Sequence, residues 1–217
     1  MDKDNSVLAW HFVESTLRDG SPIPANGVKL VHEGPLELCR SGYHASVKVL
    51  DALKYAPGST ACRVRCSGVT HGRDKLVCFE RTILWRVDAS NIISAFTRRQ
   101  ALGMIHLWDA PKIVVDYLTS GDERIRVAAW IAARAAVGAA AGGGDVAWAA
   151  TWAAAGPKRW SAARDDAWAA TRAAAGVRCW SDARDDAWAV AWNDAETMLV
   201  QMLYKEGAEM LGKGRAV

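Results

Sequence analysis

The chain has no long apolar run, no paired cysteine spacing and no strong charge of either sign. A membrane-spanning helix needs roughly 18 or more consecutive apolar residues. Here the longest alanine-rich stretches are interrupted by Arg134, Asp145 and the Gly142-Gly143-Gly144 triplet, so no span and no membrane partner are expected. The opening Met1-Asp2-Lys3-Asp4 is polar and partly acidic, unlike the basic and then apolar start of a secretory leader. The five cysteines, Cys39, Cys62, Cys66, Cys78 and Cys179, are odd in number and contain no Cys-x-x-Cys pair. That argues against a disulfide framework and against a cysteine-held metal; no metal and no cofactor are expected. Buried, reduced thiols and a cytoplasmic location are the corresponding expectation.

Net charge is only +3, and all of it lies in the first half. Residues 1–118 carry 15 basic and 12 acidic side chains, whereas residues 119–217 carry 12 of each. Such an excess is too small to argue for duplex DNA, but it is compatible with a small anionic ligand.

What the chain does have is tryptophan, 11 in 217 residues, with seven of them between Trp148 and Trp192. They recur with a pattern. Trp148-Ala-Ala-Thr-Trp152-Ala-Ala-Ala-Gly156 returns 20 residues later as Trp168-Ala-Ala-Thr-Arg172-Ala-Ala-Ala-Gly176. An earlier copy starts at Trp130 and a degenerate one at Trp188. Ser161 and Ser181 stand where helix N-caps belong, and Gly138, Gly156 and Gly176 where helices stop. The pattern predicts an all-α array of short Ala/Trp-rich helices over residues 119–217. In it, alanine sets a close contact distance and tryptophan bolts each helix to the next. The last copy runs on through Leu199, Met202 and Leu203, with fraying expected from Gly207.

Residues 1–118 read as a separate α+β domain, a small mixed or antiparallel sheet with one or two helices. Strands are predicted at Val7–Val13, 29–33, Leu36–Cys39, Thr60–Cys66 and Leu76–Val87. Helices are predicted from Ser46 through Tyr55, with Val47, Leu50 and Leu53 inward, and from Ile92 to about Trp108. Alternation puts Cys62 and Cys66 toward the core and Arg63 and Arg65 together on the other face. His11, between Trp10 and Phe12, is expected to face solvent. His44 is expected to open a helix after a glycine turn and is the better site candidate. With Tyr43, Arg63, Arg65, Lys75 and Arg81 it forms the predicted ligand-binding set, because guanidinium groups grip phosphate bidentately.

The run His32-Glu33-Gly34, Leu36-Glu37-Leu38-Cys39, Gly42-Tyr43-His44-Ala45, Leu50-Asp51-Ala52-Leu53, Cys62-Arg63-Val64 and Asp74-Lys75-Leu76-Val77 resembles a domain family common in bacteriophages and prophages. The resemblance covers roughly residues 8–90. It implies a phage counter-defence protein, acting in the host cytoplasm, that sequesters a small anionic ligand such as a nucleotide immune signal, alone or as a homo-oligomer. A second resemblance is to the ADP-ribosyltransferase fold. It implies a catalytic set of His11 on the first strand, Tyr43 before a helix and Glu80 on a later strand. A third expectation makes the helical half a protein-interaction module that inhibits a host defence enzyme.

Overall fold

The computed structural model describes residues 6–137, 144–155 and 182–212. The chain forms two compact units. The first joins residues 1–90 to 200–217, and the second holds residues 91–199. The division falls after Ser90 rather than at the expected 118/119, and the end of the chain belongs to the first unit.

The first unit is an antiparallel sheet in the order β1-β4-β5-β2, with β3 on β5. The strands are β1 (Ser6–Val13), β2 (Lys29–Val31), β3 (Tyr43–Ala45), β4 (Thr60–His71) and β5 (Leu76–Asp88). β4 and β5 form a long hairpin that pairs from Thr60↔Asp88 to His71↔Leu76, which is why β4 runs past its predicted end at Cys66. β2 and β3 share the other edge of β5, opposite 80–82 and 76–78. Directly after β3, Ser46 exchanges two backbone hydrogen bonds with Trp10 of β1, at 2.7 and 2.9 Å. The sheet therefore curls back on its first strand. Its concave side buries Ala9, Val13, Ala45, Cys62, Val64, Cys66, Leu76, Cys78 and Ile83.

The Ser46 bridge also explains a shortened helix. Ser46 serves as a strand residue, so α1 spans only Val49–Leu53; Leu50 and Leu53 are fully buried, but Val47 is exposed. The predicted strand at Leu36–Cys39 is a turn instead, closed by reciprocal backbone hydrogen bonds between Glu37 and Ser41. On the outer face of the sheet, Trp10, Trp85 and Tyr204 meet edge to face, with ring centroids 5.4–5.8 Å apart. Tyr204 comes from α6 (Asp182–Gly212), which stays helical beyond Gly207. A β-carbon on Gly207 would lie 3.1 Å from the Trp85 ring, so bare backbone meets indole there.

The second unit contains α2 (Ser90–Gly103), α3 (Lys112–Ser120), α4 (Glu123–Val137), α5 (Gly144–Ala155) and the first part of α6. Gly121, left-handed at φ +67°, ends α3, and the Asp122 carboxylate accepts the Arg124 N–H to cap α4. Ala129 and Ala133 of α4 are buried with Ala149, Ala150, Ala153 and Ala154 of α5, around Tyr117 and Leu118. Arg126 donates to the Ala154 carbonyl at the end of α5. Alanine thus provides the close contact that its repeated placement predicted. The tryptophans differ among themselves: Trp192 is buried, Trp130 is partly covered, and Trp148 is 43% exposed and so is not a packing bolt. The copy at Trp168, with Trp160, Ser161, Ser181, Gly156 and Gly176, lies outside the described residues. The described helices show an alanine-packed unit and not the 20-residue array. None of them is long and apolar enough to cross a membrane.

Candidate functional site

A cleft of about 800 Å³ opens in the first unit, between β1 with its following loop, the Cys39–Ser46 segment, α1 and the end of the β4–β5 turn. Its position depends on Gly42. That residue has φ +103°, and a β-carbon there would stand 2.6 Å from Val77 Cγ2 and 2.7 Å from Leu36 Cδ2. Only glycine lets the chain pass this close to β5 and then enter β3 in register, Tyr43 opposite Cys78 and His44 opposite Val77.

Arg81 lies at the base of this arrangement. Its residue is 4% exposed, directly across β4–β5 from Cys66. Nη1 donates to the His44 carbonyl at 2.8 Å, and the guanidinium sits 5.1 Å from the Tyr43 ring centroid. Among the described residues it forms no ion pair, and Nε is buried without a partner. Burial lowers its pKa, an effect opposed by the thiols of Cys66, Cys78 and Cys62 around it. A buried cation without a counter-charge is costly unless something else supplies the negative charge.

Two histidines line the cleft with it. His11 does not face solvent as its strand position suggested: β1 turns it to the concave side opposite Cys62. Burial, then the charges of Arg81 and His44, hold its pKa well below the usual value. His44 accepts the Cys39 backbone N–H on Nε2 at 2.8 Å, so its neutral ring carries the proton on Nδ1. Burial lowers its pKa too, with Lys75, Arg18 and Arg81 adding to the effect. Arg18, Arg40 and Lys75 also line the cleft, as do Glu14 and Asp19. Lys75 is held as a cation chiefly by its hydrogen bond to Cys39, and it lies 4.3 Å over the Tyr55 ring. Tyr55 in turn donates to Asp74, which also binds Lys54 at 2.6 Å.

Of the predicted ligand set, Tyr43, His44, Lys75 and Arg81 line one cleft. Arg63 and Arg65 do not. Arg63 is on the outer face, 4.7 Å over the Trp10 ring, and Arg65 is exposed. Strand parity separates them from Arg81, which is opposite Cys66. Of the implied catalytic set, His11 and Tyr43 share the cleft, whereas Glu80 is outside its lining and binds Lys29 of β2 at 3.2 Å. Sequence reasoning missed Arg18, Arg40 and Cys39 as cleft residues, and placed His11 in a site only through the ADP-ribosyltransferase resemblance. The curl of the sheet brings these together, and no local spacing announces it. Among the described residues, no group of three or more His, Cys, Asp or Glu is arranged to hold a metal.

The thiols of Cys62, Cys66 and Cys78 are buried. Burial pushes Cys62 up to about 11, and Cys66 is raised by its hydrogen bond to Cys78 and by burial. Residues 7–95 match the model of a family described as a domain of unknown function, DUF7666, which covers less than half of the chain. No curated protein and no solved structure matches the sequence.

Proposed function

We propose that the first unit is a receptor for a small organic anion, bound in the cleft with its negative group at Arg81. The observation that carries this reading is the Arg81 guanidinium, buried at the cleft without an ion-pair partner among the described residues. His11, His44, Tyr43 and Lys75 are beside it as further donors. The cleft volume falls in the range of drug-sized ligands and is far larger than a bare phosphate needs. A nucleotide meets both demands, charge and size. The resemblance of residues 8–90 to phage domains supports capture, rather than turnover, of a nucleotide immune signal as the role.

Calorimetric titration and thermal-shift assays with cyclic dinucleotides, ADP-ribose and mononucleotides test this, with neutral nucleosides as controls. Binding of at least one anion and none of the nucleosides is expected. Lys75→Met should weaken binding about tenfold and Arg81→Met by more, the usual loss for a charged hydrogen bond. Absence of binding across the panel overturns the reading.

Two other readings each have one supporting observation. His11 and Tyr43 share a cleft, as an ADP-ribosyltransferase would require, although Glu80 is engaged by Lys29. Labelled nicotinamide adenine dinucleotide should then give a product that Glu80→Gln abolishes. Val127 and Ile131, four residues apart on α4, are both more than half exposed, as a surface for a host enzyme would require. A host protein that co-purifies and is lost from the Val127→Asp/Ile131→Asp chain would support that role.

A further inference from the structure

The cysteine expected to be buried with the others is not. Cys39 is exposed, and it lines the same cleft as Arg81. Its backbone adopts φ +72°, the left-handed region, uniquely among the described non-glycine residues. That conformation is held from both ends: the N–H donates to His44 Nε2 at 2.8 Å, and the carbonyl accepts from Arg18 Nη1 at 3.4 Å. Lys75 lines the same cleft, its ammonium 4.3 Å over the Tyr55 ring. The second, independent observation is Arg81 itself, a cleft-lining guanidinium that is 4% exposed and whose Nε lacks a partner. A reachable thiol and an uncompensated cation thus face one cavity.

We propose that Cys39 is a site of covalent modification by anionic disulfides, forming a mixed disulfide with molecules of the glutathione class. The proposal rests on the reading of the cleft as an anion receptor and adds a reacting group to it. In the step, the Cys39 sulfur attacks one sulfur of the incoming disulfide. A bond forms between these two sulfurs and the original sulfur–sulfur bond breaks. The departing half leaves as a free thiol with the proton that Cys39 gives up. Cys39 is oxidised, the incoming disulfide is the oxidant, and no other reagent enters. The cleft favours anionic reagents for two reasons. Arg81 and Arg18 attract the carboxylates of the reagent. The Lys75 ammonium shares the cleft in which negative charge develops on the sulfur during exchange. Cys62, Cys66 and Cys78 are buried and cannot compete.

The test exposes the full chain, at low ionic strength, to oxidised glutathione and separately to cystamine, a cationic disulfide of similar chemistry. Peptide mapping locates the adduct and intact mass follows its rate. The adduct is expected on Cys39, and glutathione should react about tenfold or more faster than cystamine. Lys75→Met and high salt should each erase that preference. Equal rates, a cationic preference, or an adduct on another cysteine overturns the proposal. Nucleotide titration of the Cys39→Ser chain separates the two readings. Retained nucleotide binding without the anionic preference rejects the Cys39 site alone. The preference without nucleotide binding upholds Cys39 and rejects nucleotide capture.

Discussion

A methyl group on Gly42 would have to fit within 2.6 Å of Val77 and 2.7 Å of Leu36, at a backbone φ of +103°. Both the strain and the collision act on the residue immediately before Tyr43 and His44. Gly42→Ala is therefore expected to cost about 3 kcal/mol in chemical denaturation, combining left-handed strain with overpacking. It should also lower anion affinity, because His44 supplies the carbonyl that holds Arg81. An alanine chain of unchanged stability would show that β3 tolerates a shift, and that the cleft does not depend on this close approach. The Gly-Tyr-His-Ala motif was legible as a glycine turn opening a helix, whereas Tyr43–Ala45 is the strand β3. Which neighbours demanded the glycine was not legible, because Val77 and Leu36 meet it only after β3 docks on β5.

Among the elements, the end of α6 is the least expected contributor to the first unit. Tyr204 closes the aromatic triangle with Trp10 and Trp85, and Arg63 lies over Trp10 and, at 5.9 Å, over Tyr204. Leu203 is fully buried beside it in sequence. Edge-to-face aromatic pairs contribute about 0.5–1.5 kcal/mol each beyond area burial. Tyr204 is 41% exposed, which limits the area it buries. Tyr204→Ala should thus lower stability by about 2 kcal/mol and change the near-ultraviolet circular dichroism of Trp10 and Trp85. A near-zero change would mean that the triangle forms without holding the helix. The apolar stripe of this helix was readable in the sequence; its seat on the outer face of a sheet some 120 positions earlier was not.

At the scale of the whole molecule, the cleft makes stability depend on pH. His11 and His44 both have folded pKa values below the unfolded value of about 6.5, with burial as the main cause. The fold therefore prefers the neutral rings, and the unfolded chain takes up protons first. Their contribution is complete above about pH 6.5 and is lost as the pH falls below it toward the folded values. The melting temperature should drop as the pH falls below about 6.5, before the carboxylates Asp74 and Asp88, held low in the fold, begin to titrate. A bound anion favours the charged rings and opposes this loss, so its thermal shift should grow as the pH falls. His11→Phe or His44→Gln with an unaltered pH profile would assign the effect elsewhere.

Legible in the sequence were the strands β1, β4 and β5, the inward thiols of Cys62 and Cys66, and the alanine contacts between α4 and α5. These follow from periods of two and of 3.6 residues, which act over a few positions. Tyr43, His44, Lys75 and Arg81 were also identified in advance as a set. Folding in three dimensions sends Arg63 and Arg65 out of it, brings His11 and Cys39 to the cleft, and turns Glu80 to Lys29. Each of those outcomes depends on which face of a curled sheet a strand presents. The curl is closed by one pairing, Ser46 with Trp10, between segments that no local pattern connects.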